Sequence, residues 1–221
     1  MNAPVGEALD AARAEAQDDH RALKVRIGRL SEDSIDLILR EARSHYAWTD
    51  QPVADELLHE MFEIMIAGAT SMNTLPARIV WVRSAEGKER LAKSLKPANL
   101  AKMAGAPVTA IVAHDLKFWT HLPELFPHED RRHFFEGKDT HIAETAYRNG
   151  TLQGAYLMIA ARALGLDVGA MSGFSNQVVD EEFFAGTSLK SNFLLNIGYA
   201  DEAALFQKLP RFSFDQVCDF A

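Results

Sequence analysis

The loop Ala69-Thr70-Ser71-Met72-Asn73-Thr74 places two adjacent hydroxyls and a carboxamide between an apolar helical run ending at Gly68 and Pro76, which hands over to a strand. Uncharged groups of this kind both donate and accept hydrogen bonds, and so suit the neutral polar edge of a ligand. They are equally the residues of an ordinary helix-to-strand turn. Arg43 and Ser44 stand where a first helix closes. A guanidinium beside a hydroxyl can clamp a phosphate, or it can simply complement the negative end of a helix macrodipole. Asn99 and Lys102 would set an amide and an amine on one side of a turn, with a solvated lysine as the competing reading. Arg211, after Leu209 and Pro210, is ambiguous in the same way. Each signal is weak alone; the information lies in their joint order.

Other chemistries find less support. His114, His121, His128, His133 and His141 fall in or near one irregular stretch. The segment HEDRRH at 128–133 resembles the zinc-helix pattern HExxH but is one residue too long, which takes its histidines off a common helix face. Solvated histidines are the expectation there, and no metal site is assigned. The chain lacks GxGxxG, GxxxxGK[ST] and GxSxG, so dinucleotide, phosphate-loop and nucleophile-elbow readings have no anchor. A net charge of −8 disfavours a nucleic-acid surface. The single cysteine, Cys218, rules out an intramolecular disulfide and a cysteine-rich zinc site, and reads as an idle buried thiol in a reducing compartment. No apolar run reaches membrane-spanning length, and residues 1–20 are Ala-rich and acidic, unlike a signal peptide. A cytoplasmic protein is expected, with no membrane and no nucleic-acid partner.

The elements that must position these residues follow from periodicity. With 221 residues and 48% hydrophobic content, the chain can build one good core. Residues 1–28 read as an N-terminal extension and 29–221 as a single domain. Ser31 is a candidate N-cap for a helix through Ile35, Leu37, Ile38 and Ala42. A second helix opens near Pro52 and Asp55, with Leu57, Leu58, Met61, Phe62, Met65 and Ile66 as its buried side. Strands are expected at 78–82, 106–113, 166–171 and 193–199, and helices at 85–95 and 178–184. The stretch 97–103 reads as a polar loop, and 114–137 as an excursion over the surface. The longest helix is expected at 139–164, with Leu152, Ala155, Tyr156, Ile159 and Ala163 at helical spacing and Gly165 as its C-cap. Helices first, then strands alternating with helices, indicate an α+β or α/β sandwich with a mixed sheet.

Taken together, ARSHYAW, ATSMNTLPARIVWVRSAEGK, APVTAIVA, ELFPH, RALGLDVGAMSGF, FFAGTSLKSN and NIGY resemble the nitroreductase family of flavin enzymes. Within it the chain looks closest to the malonic semialdehyde reductase group of the Rut pyrimidine-degradation pathway. The resemblance runs from about Leu37 to the C-terminus. It implies an α+β fold, a mixed sheet flanked by helices, that binds FMN at a homodimer interface. Carried over by position, Arg43, Ser44 and Arg211 would hold the FMN phosphate, with His45 adjoining. Thr70, Ser71 and Asn73 would line the flavin ring from one subunit. Asn99 and Lys102 would address its pyrimidine edge, and Ser172 and Gly173 would present backbone near its reactive nitrogen. Tyr46 in place of a basic residue, Leu75 in place of Gln, Ala69 in place of Pro and Ser172 in place of Glu depart from common family patterns. Tyr46, Leu75 and Ser172 argue against a typical nitroaromatic substrate; Ala69 carries no consequence.

The expected reaction is reduction of FMN by NADH or NADPH, followed by hydride transfer to malonic semialdehyde to give 3-hydroxypropanoate. The flavin carries the hydride, so no protein acid–base pair is required and no catalytic residue is assigned. Arg131, Arg132 and His133 are candidates for the substrate carboxylate. The alternatives are a general nitro or quinone reductase, a flavin-binding protein without turnover, and a histidine-based metal module.

Overall fold

A computed structural model describes residues 3–221 of the chain. Two compact units divide in sequence between Asp36 and Leu37. The first carries α1, Ala3–Lys24, whose Ala, Glu and Arg content favours helix. It also carries α2, Glu32–Ile35, where Ser31 caps the helix by accepting from Ser34 N at 3.1 Å. One π-helical turn, Asp36–Arg40, follows, so helical structure stops short of the expected Ala42.

The second unit is built on a four-stranded sheet of order β1-β2-β4-β3. Its strands are β1 (Ala77–Val82), β2 (Val108–Asp115), β3 (Asp167–Met171) and β4 (Leu189–Gly198). Every ladder is antiparallel. Among the described residues, the expected mixed pairing reduces to a single parallel bridge, Ser44 to Val168. All of β2 is buried, as an apolar β-branched run requires when both sheet faces are covered.

Alternation along β2 assigns the two faces. Ala110 and Val112 face a core with Met61 and Met65 of α3 (Asp55–Ile66) and Leu157, Ala160 and Ala161 of α7 (Asp139–Ala163). Ile111 and Ala113 face the opposite core. That side holds Leu91 of α4 (Ala85–Ala92), Met103 of α5 (Pro97–Gly105) and Val179 of α8 (Asn176–Phe183). The result is an α+β sandwich, sheet between helices. Burying each large apolar side chain in it stabilises the fold by roughly 1.5–3 kcal/mol.

Several local expectations change. Residues 97–105 are helix α5, not a loop: Pro97 is tolerated in the first turn, and Met103 is buried beneath it. Phe62 is 45% exposed, not part of the buried side of α3. The buried stripe of α7 runs through Ala146, Asn149, Gly150, Gln153, Gly154 and Leu157, while Leu152 is 42% exposed. Small residues occupy that stripe because the helix lies close to the sheet: a Cβ on Gly154 would stand 2.4 Å from Phe193 Cζ. Gly165 has φ +78° just past the end of α7, in line with the expected C-cap.

His114 and Asp115 belong to β2 and are buried, not part of a surface excursion. Cys218 is exposed rather than buried. Among the described residues, no helix is long and apolar enough to cross a membrane.

Candidate functional site

The Arg43–His45 segment is stitched to β3. His45 N donates to Val168 O at 3.0 Å, beside the Ser44 bridge. The approach is close enough that only glycine fits opposite it: a Cβ on Gly169 would lie 2.3 Å from His45 O. His45 Nε2 stands 3.2 Å from Asp167 Oδ1. Burial pushes the His45 imidazole below its ordinary value; Asp167 opposes this, while Arg43 and Arg162 reinforce it. From α7, Arg162 donates to Ile38 O at 3.1 Å and Arg43 O at 3.4 Å, and burial lowers its guanidinium. These bonds set the direction in which Arg43 and Ser44 project.

Lys102 is fixed through its carbonyl, which accepts from Trp48 Nε1 at 3.2 Å and Asn196 Nδ2 at 3.1 Å. Its Nζ donates to Asn99 Oδ1 at 3.3 Å and lies 4.4 Å from the Tyr46 ring centroid. Asn99 Nδ2 in turn donates to Gly173 O at 3.1 Å. A Cβ on Gly173 would stand 2.6 Å from that nitrogen, so a side chain there would displace the Asn99 amide. Ser172 beside it is exposed.

Arg43, Ser44, Tyr46, Lys102, Arg162 and Arg211 line a cavity of about 860 Å³; His45, Asn99, Ser172 and Gly173 are not among its lining residues. Lys208 also lines it and pairs with Glu41 at 3.0 Å. Arg43 donates to Phe206 O, and Arg211 donates to Leu209 O at 3.0 Å. No carboxylate side chain lies among the lining residues. Guanidiniums and an ammonium beside a hydroxyl fit a phosphate, and a cleft of this size can take a cofactor.

Thr70, Ser71 and Asn73 lie elsewhere. Ser71 N donates to Asn149 Oδ1 at 2.8 Å, Leu75 N donates to Thr70 Oγ1 at 3.2 Å, and Asn73 Nδ2 donates to Leu125 O at 2.8 Å. Met72, Asn73 and Leu75 all have φ between 38° and 52°, the left-handed region that side chains disfavour. None of this loop lines the Arg43 cavity. One chain therefore brings Arg43, Ser44, Lys102 and Arg211 together, links Asn99 and Gly173 to them, and keeps the 69–74 loop apart.

Sequence reasoning missed Arg162 and Lys208. Arg162 opens the phrase RALGLDVG, but at a helix C-terminus it reads as an ordinary dipole partner. The histidines of 114–141 act separately: His141 stacks on Phe135 with centroids 5.1 Å apart, and His114 meets Tyr147 edge-on at 5.8 Å. Among the described residues, no three His, Cys, Asp or Glu side chains are grouped to hold a metal ion.

Residues 39–199 match the nitroreductase family. The chain belongs to that family. A relative in Burkholderia lata, provisionally named NADH dehydrogenase/NAD(P)H nitroreductase, is 54% identical over 188 residues, covering 85% of this chain and 96% of its own. A Bacillus subtilis structure provisionally assigned as a nitroreductase superposes with a TM-score of 0.78 at 18% identity, over 86% of this chain and 100% of that one. One from Exiguobacterium sibiricum, in complex with FMN, reaches a TM-score of 0.77 at 21% identity, over 88% and 100%. Arg211 and Lys208 lie beyond the nitroreductase match, yet they close one side of the cavity.

Proposed function

We propose that this nitroreductase-family protein is a cytoplasmic, FMN-dependent NAD(P)H oxidoreductase whose acceptor is malonic semialdehyde, reduced to 3-hydroxypropanoate. The observation that carries the cofactor is the cavity wall of Arg43, Lys102, Arg162 and Arg211 with no carboxylate among its lining residues. That donor set fits FMN: Arg43, Ser44 and Arg211 would hold the phosphate, His45 would support Arg43's segment, and Asn99 and Lys102 would face the ring's polar edge. When bound there, FMN would supply the hydride-transfer chemistry between NADH or NADPH and the acceptor's carbonyl carbon.

The protein's part is positioning and charge. Lys102 carries a fixed cation, oriented by Asn99 and held through its backbone by Trp48 and Asn196. A preorganised donor of this kind stabilises negative charge as it develops nearby. Gly173 and Ser172 would offer backbone beside the ring. Thr70, Ser71 and Asn73 sit apart from the cavity in one chain, so in this reading they line the ring from the second copy of a homodimer.

A second reading is supported by the name of the Burkholderia lata relative: an NAD(P)H reductase of nitro compounds or quinones, with the aldehyde incidental. Anaerobic absorbance separates the two. A yellow protein that bleaches with NADH or NADPH and recovers its colour with malonic semialdehyde supports the first. Recovery only with a nitroaromatic or quinone supports the second. Protein that stays colourless after added FMN overturns both.

A further inference from the structure

The segment between β2 and α7 has a small core of its own. Phe118, Leu122 and Phe135 are fully buried in it, and Met72 from the 69–74 loop packs against it. With Asn73 bonded to Leu125 O, segment and loop form one continuous wall. On that wall the Arg131 guanidinium lies 5.2 Å from the Phe126 centroid and 5.5 Å from the Phe134 centroid. Two ring contacts fix the cation and strip part of its hydration. Its Nε is buried without a hydrogen-bond partner, and its Nη2 meets Glu129 Oε2 at 2.6 Å. Glu129 is 53% exposed, and exposed pairs of this kind are weak and exchangeable.

The neighbouring cations are differently engaged. Arg132 gives Nε and Nη2 to Asp130 at 2.9 and 2.7 Å, a closed fork that holds the Asp130 carboxyl down to about 2. His133 Nδ1 stands 3.0 Å from Asp130 O. Arg131 is therefore the member of the trio whose guanidinium keeps a buried Nε without a hydrogen-bond partner.

We propose that Arg131 binds the carboxylate of the acceptor, and that Glu129 is an internal stand-in which the acceptor displaces. This rests on the reading in which the 69–74 loop lines the flavin ring, since that loop is what brings Arg131 beside the site. The acceptor class is then a short electrophile carrying one carboxylate. A guanidinium accepts such a group bidentately, and a neutral quinone gains nothing from it.

The test compares Arg131→Gln and Glu129→Gln with the natural protein, all FMN-loaded. Three quantities are read: bleaching by NADH, kcat/KM for malonic semialdehyde and for benzoquinone, and spectral titration of the flavin with 3-hydroxypropanoate. Arg131→Gln is expected to lower kcat/KM for the aldehyde by about tenfold or more and to weaken 3-hydroxypropanoate binding equally. Bleaching and quinone turnover should stay unchanged. Glu129→Gln should move the aldehyde and 3-hydroxypropanoate values the other way.

Equal loss toward aldehyde and quinone in Arg131→Gln, or no change in either variant, overturns the proposal. If the natural protein fails to reduce the aldehyde, the substrate reading falls by itself. Binding of 3-hydroxypropanoate that Arg131→Gln abolishes would still support the carboxylate site, and absence of that binding would overturn it.

Discussion

At the scale of single residues, the site is a chain of dependent contacts. Gly173 O holds Asn99, Asn99 Oδ1 holds the Lys102 ammonium, and Tyr46 lies beneath that ammonium. Replacing Lys102 with Met keeps the length of the stem and removes the charge. If Lys102 stabilises negative charge on the reduced cofactor, Lys102→Met should retain FMN yet slow its reduction by NADH about a hundredfold, with a more negative midpoint in a redox titration. Unchanged reduction kinetics would remove Lys102 from that role. The residue types at 43–44, 99–102 and 211 were legible as possible phosphate and amide partners. Their meeting in one site came only from the family resemblance, because residue types and spacing do not show contacts between residues far apart in sequence. Arg162 was missed for that reason: only the folded chain turns its guanidinium toward Arg43 O.

At the scale of elements, β3 acts as a ruler for the proposed phosphate end of the site. Its Gly169 lets the His45 carbonyl approach where a Cβ would stand at 2.3 Å, and backbone cannot swing aside as a side chain can. Gly169→Ala should push the 43–46 segment off the sheet, cost about 1–3 kcal/mol of stability, and weaken FMN binding, measured by thermal unfolding and flavin titration. A stable variant with unaltered FMN affinity would show that the close approach is incidental. The contact between β2 and α7 makes a different prediction. His114 is buried in β2 with Nδ1 unpartnered. Burial lowers its pKa first; Asp180 and Asp115 oppose that, and Lys190 adds to it. A depressed folded pKa means stability is fully present above the ordinary value of 6.5 and is lost as pH falls below it. The urea midpoint should therefore drop between pH 7.5 and 5.5, and His114→Gln should shrink that drop without abolishing it, because burial lowers His45 in the same direction. An equal drop in the variant would clear His114. Of these elements, β2 was legible because full burial writes a continuous apolar run. Helix α5 was not, since Pro97, Asn99 and Lys102 read in sequence as the residues of a turn. The packed side of α7 was misjudged because its close approach selects glycine, alanine and buried amides beside Leu157, leaving Leu152 on its flank.

At the scale of the whole molecule, a single chain offers two partial walls: cations around Arg43, and the hydroxyl-and-amide loop with Arg131. If each complete site takes one wall from each of two copies, damage to the two walls must be complementable. Arg43→Ala should empty the phosphate end, and Ser71→Trp, at an exposed position, should obstruct the ring wall. Each homodimer should be colourless. Refolded together in equal amounts, half of the dimers pair one variant with the other, and each such dimer owns one intact site and one doubly damaged site. FMN should return to about a quarter of the natural content, as random pairing about a twofold axis requires. Sites contained within one chain would give no recovery, because every chain in the mixture then carries its own defect. Recovered colour that also vanishes on dilution, as dimers dissociate, would tie cofactor retention to assembly. Recovery without such dilution dependence would point to a dimer too tight to part at the concentrations used, and the quarter stoichiometry alone would then carry the conclusion.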